Sequence, residues 1–131
     1  DLIKNIELNH GKVFNFVTKD LGKKEDEFGA PVLITDPRGF KNKEVSYYYG
    51  LPLSKRVGVS DNNFSFRTIS PSDAFVIYYK GKYEGRVKAI NQLLDKAKKD
   101  SMRNGELQET FIEAPNSRTD VKIELSLPVF R

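Results

Sequence analysis

The chain has 131 residues, no cysteine, one histidine, and 22 basic against 18 acidic side chains, for a formal net charge of +4. That length carries one domain with a core of its own. Zero Cys excludes a disulfide scaffold, a thiolate metal site and a Cys nucleophile, and the lone His10 excludes a multi-histidine or Ser-His site unless a second chain contributes. No run approaches the roughly 18 apolar residues of a spanning helix. Hydrophobic residues at 38% and charges of both signs at 31% mark a folded chain.

The charge is spread almost evenly over both halves, without the basic stripe of a nucleic-acid binder. Lys96, Lys98, Lys99 and Arg103 cluster at a predicted helix end, where the macrodipole accounts for them. No direct nucleic-acid contact, no metal, no cofactor and no membrane contact by this segment are expected.

In chain order, Ile3, Ile6, Val13, Val17 and Leu21 follow helical spacing, with Phe14 beside them, and predict a helix over 2–20 despite Gly11. Gly22 stops it, and 23–27 is a charged loop. Strands are predicted at 31–35 and 43–53 around the turn Asp36-Pro37-Arg38-Gly39. Residues 54–62 read as a linker. Phe64 and Phe66 alternate with polar neighbours, suggesting a strand within 63–69. Residues 73–80 form a stronger strand, ended by Gly81. A helix over 83–99 lines up Val87, Ile90, Leu93, Leu94 and Ala97. Strands at 107–113 and 120–129 flank the turn Pro115-Asn116-Ser117.

The two halves match. Val45-Ser-Tyr-Tyr-Tyr-Gly-Leu-Pro52-Leu aligns without a gap to Val121-Lys-Ile-Glu-Leu-Ser-Leu-Pro128-Val, and Asp36-Pro37 to Ala114-Pro115 at a nearly equal offset. Self-similarity of this length suggests a duplicated unit that packs as a pseudo-symmetric pair. The expectation is a single α+β domain over 1–131: unit one at 1–53, the linker at 54–62 and unit two at 63–131. Each unit is β-α-β-β with an antiparallel sheet and one helix. The leading strand of unit one would fall before Asp1, and the chain has no starting Met, so missing N-terminal sequence is expected.

Four patterns carry a family resemblance. They are Phe75-Val-Ile-Tyr-Tyr-Lys-Gly81-Lys-Tyr83-Glu, the amphipathic helix after it, Glu109-Thr-Phe-Ile-Glu-Ala-Pro115, and Ile123-Glu124-Leu125-Ser126-Leu127-Pro128-Val129. In this order and spacing the chain resembles the GyrI-like, or transcription-activator effector-binding, domain. The resemblance implies a small-molecule site between two units, with Glu109 at the position of the family's ligand-contacting glutamate. The chain departs from many members in having Leu93 and Leu94 where they place a Trp. It has no helix-turn-helix segment, so a role in transcription regulation would need a missing or partner domain.

Parity puts Leu107, Glu109 and Phe111 on one strand face, a carboxylate between two apolar side chains. Such a group is costly unless paired or protonated. A ligand cation would pair it, and aromatic faces would add about 0.5–2 kcal/mol; a salt bridge to a Lys or Arg of the chain is the structural counterpart of that reading. The candidate ligand-binding set is Glu109, Phe111, Tyr47, Tyr49, Tyr78 and Glu124. Glu124 interrupts an alternating strand and reads equally as a solvated or cross-strand-paired residue. His10 reads as a structural residue.

The expected function is noncatalytic binding of a small, largely apolar molecule, cationic where it pairs with Glu109. The alternatives are a hydrolase of the same fold, using Glu109 or Glu124 as general base with a Tyr acid, and a protein-binding inhibitor of the gyrase-inhibitor type. A homodimer and a missing N-terminal domain or anchor belong to the expected partners. A cytoplasmic place is expected, with a tethered or exported one if a signal or anchor has been removed.

Overall fold

Alternation builds the C-terminal part of the molecule. Val121, Ile123, Leu125, Leu127 and Val129 are buried, while Lys122, Glu124 and Ser126 between them are only half-buried, because successive strand side chains leave opposite faces. The computed structural model describes residues 2–37, 46–53, 63–65 and 67–131. Within them the order is α1 (Leu2–Asn15), β1 (Val32–Thr35), β2 (Tyr47–Gly50), β3 (Ala74–Gly81), α2 (Arg86–Lys99), β4 (Arg103–Asn104), β5 (Leu107–Phe111) and β6 (Val121–Phe130).

The fold is α+β, with one antiparallel sheet in the order β2-β1-β5-β6-β3 and β4 also pairing β6. Asn104 lies opposite Val129 but Gln108 opposite Ser126, a one-residue step that makes Gly105–Glu106 a bulge. The Gly105 N–H donates to the Pro128 carbonyl there at 2.9 Å.

Both helices lie on one face: α1 packs on β2, and α2 on β3 and β6. Ile3 and Ile6 from α1 and Ile90, Leu93 and Ala97 from α2 meet Leu33, Leu107, Phe111, Ile123, Leu125 and Leu127 in a continuous core. Each fully buried side chain of this size contributes about 1.5–3 kcal/mol. The helix α1 runs on into a π-helical turn at Phe16–Asp20, where the Leu21 N–H reaches the Phe16 carbonyl at 3.0 Å. Gly22 ends it at φ 67°, a left-handed conformation that costs Gly little.

Several expectations need correction. The predicted strand within 63–69 does not form among the described residues of that stretch. Phe64 instead stacks on Phe16 with centroids 4.0 Å apart, so its apolar signal marks a plug against the end of α1. On α2 the inward stripe runs Arg86, Ile90, Leu93, Ala97, whereas Val87 is exposed. The short strand β4 falls where only the end of a helix was expected. The two hairpins contribute to one sheet, not to separate ones. The predicted linker 54–62 and the N-terminal part of the predicted strand 43–53 lie outside the described residues.

Candidate functional site

The entry into α2 sets the first half of the site. Gly81 closes β3 at φ 148°, and a Cβ there would stand 2.9 Å from the Tyr79 hydroxyl oxygen. That hydroxyl donates to the Lys82 carbonyl. The tight corner leads into a 3-10 turn, Tyr83–Gly85, and brings Tyr83 and Arg86 down onto the sheet.

Arg86 is 3% exposed and stands in the apolar stripe of its helix. Its Nε donates to Glu109 Oε1 at 2.6 Å, its Nη1 donates to the Tyr83 carbonyl at 3.2 Å, and its Cζ lies 3.7 Å from the centroid of the Tyr83 ring. Glu109, at the centre of β5, is fully buried. Burial pushes its carboxyl above the usual carboxylate range, and the attraction and hydrogen bond of Arg86, followed by the Tyr83 hydroxyl, offset part of the rise. The Tyr83 phenol is raised by burial and then by the neighbouring Glu109 charge.

Among the described residues, Glu109 Oε2, the Tyr83 hydroxyl and Thr35 Oγ1 are buried without a hydrogen bond of good geometry, although the Tyr83 hydroxyl and the Glu109 carboxyl are near enough to shift each other's titration. A buried polar atom left unpaired costs about 1–3 kcal/mol. Native interiors hold few of them.

The second half comes from α1, whose residues Asn5, Asn9 and His10 face the tyrosines of β2. The Tyr47 hydroxyl donates to Asn5 Oδ1 at 3.0 Å and accepts from Asn9 Nδ2. His10 Nδ1 and the Tyr49 hydroxyl share a hydrogen bond of 2.8 Å. Partial burial lowers the His10 pKa and raises that of Tyr49. Rings then connect the halves: His10 to Tyr49 at 5.9 Å, Tyr49 to Phe111 at 6.3 Å and Phe111 to Tyr83 at 6.2 Å between centroids.

Beside this row an open depression of about 480 Å³ is lined by His10, Phe14, Phe28, Leu51, Phe111 and Ala114, among others. Its size suits a small molecule. It reaches Phe111 but not Glu109, which lies deeper, two residues along the same strand face.

Glu109, Phe111, Tyr47 and Tyr49 share the helix-covered face of the sheet. Tyr78 and Glu124 do not join them. They pair with each other on the opposite face, where Tyr78 is 72% exposed. Glu124 sits opposite Thr110, not Glu109, and strand parity therefore separates the two carboxylates by the thickness of the sheet. Arg86, Asn5 and Asn9 were not foreseen. A charge at the head of the stripe Arg86–Ile90–Leu93–Ala97 is the signal that points to Arg86.

On the opposite face a smaller depression of about 260 Å³ lies between Arg67–Ser72 and Ile34, Gln108 and Phe130. Arg67 is engaged there by Glu106 and by the Tyr48 ring. Among the described residues no three His, Asp or Glu side chains gather as a metal site, and no helix is long and apolar enough to cross a membrane. No family model, no curated protein and no solved structure matches this chain.

Proposed function

We propose that this chain is a noncatalytic small-molecule-binding domain of the GyrI-like kind, taking its ligand on the helix-covered face of the sheet. The observation that carries the reading is Glu109, a fully buried carboxylate whose Oε2 makes no hydrogen bond of good geometry among the described residues, under an aromatic row that borders an apolar depression. Arg86 already supplies a countercharge through Oε1. What the carboxylate keeps for a ligand is one acceptor, so the ligand is a largely apolar, ring-sized molecule presenting an N–H donor, neutral or cationic. It enters from the depression that Phe111 borders, two residues along the strand from Glu109. Binding is favoured over hydrolysis because Glu109, the candidate base on this face, is held by Arg86, while Glu124 lies on the other face with Tyr78, away from the depression.

The strand order supports a two-unit reading of the fold. The hairpin β1–β2 with α1 and the hairpin β5–β6 with α2 meet where β1 pairs antiparallel with β5, as a twofold between equivalent halves requires. Leu33 then stands opposite Glu109 next to the axis. In this reading the counterpart of β3 in the first unit belongs along the outer edge of β2. A regulatory role would come from a further or partner domain, and a cytoplasmic place suits such a role.

The test is calorimetric titration of aromatic amines, aromatic cations and their donor-free isosteres against the wild type, Glu109→Gln and Ala114→Trp. Ala114 is exposed on the wall of the depression, so its replacement fills the space with little risk to the core. Donor-bearing compounds should bind the wild type and lose about five- to a hundred-fold in affinity with Glu109→Gln, compared at a temperature where circular dichroism shows that variant folded. Ala114→Trp should abolish binding. Equal affinity in all three proteins, or no binding by any compound, overturns the reading.

A further inference from the structure

The strand β3 occupies one end of the sheet and runs for eight residues, Ala74–Gly81, without a proline or a bulge. Among the described residues nothing pairs its outer side. The Val129 N–H donates to the Asp73 carbonyl at 2.9 Å, and this fixes the alternation along the strand. Residues 73, 75, 77, 79 and 81 exchange hydrogen bonds with β6. Ala74, Val76, Tyr78 and Lys80 direct their N–H and C=O groups outward. Val76 is 44% and Tyr78 72% exposed, and Phe75, Ile77 and Tyr79 are only partly covered on the helix side. Long, largely apolar edges of this kind, charged only towards one end by Lys80, take up another strand.

We infer that β3 pairs antiparallel with β3 of a second copy, joining the two sheets into one of twice the width. Self-pairing is favoured over another partner because the strand is complementary to itself in one register. With the twofold at Ile77, the outward-directed residues face each other as hydrogen-bonded pairs: Ala74 with Lys80, and Val76 with Tyr78 of the second copy. Val76 against Tyr78 is a β-branched–aromatic pair of the kind that strengthens sheets. Phe75 meets Tyr79 on the helix side. The charges agree as well: Asp73 of one copy falls beside Gly81 of the other, between Lys80 and Lys82, while the two Lys80 residues stand at opposite ends of the seam. Because one β3 edge satisfies the other, the assembly closes at two copies and does not propagate through this edge.

The experiment combines light scattering over a wide concentration range with two kinds of variant. Val76→Pro removes an outward N–H and leaves the ladder to β6 intact. Ile77→Cys places the one thiol of the chain at a non-hydrogen-bonded pair on the axis, where Cα atoms come about 4.5 Å apart, within disulfide reach. Ala74→Cys serves as its control, since the two copies of residue 74 lie at opposite ends of the seam. The wild type should dimerise. Val76→Pro should weaken the dimer about tenfold or more with an unchanged circular dichroism spectrum. Ile77→Cys should cross-link on mild oxidation and Ala74→Cys should not. A wild type that stays monomeric throughout, a Val76→Pro dimer of wild-type strength, or equal cross-linking of the two Cys variants overturns the proposal. None of these readouts depends on a small-molecule ligand.

Discussion

Arg86 and Glu109 form an ion pair inside the molecule, Nε to Oε1 at 2.6 Å, with side chains 4% and 0% exposed. Removing two charges from water costs several kcal/mol for each, and their attraction recovers this only where geometry and further hydrogen bonds are good. Arg86 meets that condition through the Tyr83 carbonyl and ring. Glu109 meets it less well, because its Oε2 makes no hydrogen bond of good geometry among the described residues.

Breaking the pair from one side should therefore be severe. Arg86→Met strands a buried carboxylate and should lower stability by about 3–5 kcal/mol, read from urea denaturation. Adding Glu109→Leu removes the stranded charge and should restore most of the loss. A double variant no more stable than Arg86→Met alone would show that the charges are not what couples these positions.

The same carboxylate should leave a signature in the pH dependence of stability. Its folded pKa lies above the ordinary carboxylate range, chiefly from burial. The folded state therefore holds this proton more tightly than the unfolded state. Its contribution to stability is greatest at acid pH and declines as pH rises from the ordinary carboxylate pKa through the folded value. Denaturation midpoints of the wild type and Glu109→Gln, followed over acid to neutral pH, should diverge, with the wild type losing ground as pH rises. Parallel curves would mean that Glu109 titrates as it does in the unfolded chain.

Gly81 and Gly11 should respond to alanine with opposite signs. At Gly81 the φ of 148° and the Tyr79 hydroxyl 2.9 Å from the built Cβ both oppose a side chain, and the loss should be on the order of 1–3 kcal/mol. Gly11 lies within α1 with nothing within 4 Å of its built Cβ, so alanine there should gain about 0.5–1 kcal/mol. Thermal melts of the two variants decide it.

His10, the single histidine, can be followed alone by proton NMR. Burial lowers its pKa, so the imidazole should titrate below the ordinary histidine value. Protonation disfavours the folded state, and stability from this group is present above the unfolded pKa and lost as pH falls through the folded one. Tyr49→Phe removes the 2.8 Å hydrogen bond to Nδ1 and should cost about 0.5–1.5 kcal/mol. An unshifted midpoint in the wild type would contradict the partly buried ring.

Much of this was legible in the linear chain, because period and parity are properties of the chain itself. The alternation from Val121 to Val129 determined a strand with one buried face, and the parity of Leu107, Glu109 and Phe111 determined that a carboxylate would share that face. The apolar spacing of Ile3 and Ile6, and of Ile90, Leu93 and Ala97, determined two helices with inward stripes. What needed tertiary structure was partnership. That Glu109 meets Arg86 depends on α2 lying over β3 and β6 so that its first residue reaches β5, a contact between residues 23 apart in the sequence. That Asn5, Asn9 and His10 meet Tyr47 and Tyr49 depends on α1 lying over β2. Tyr78 and Glu124 pattern as plausible wall residues, but strand pairing aligns them with each other across β3 and β6 and turns both away from Glu109. A sequence records which residues share a face of their own element; which elements then face one another is fixed only when burial of all those faces is satisfied together.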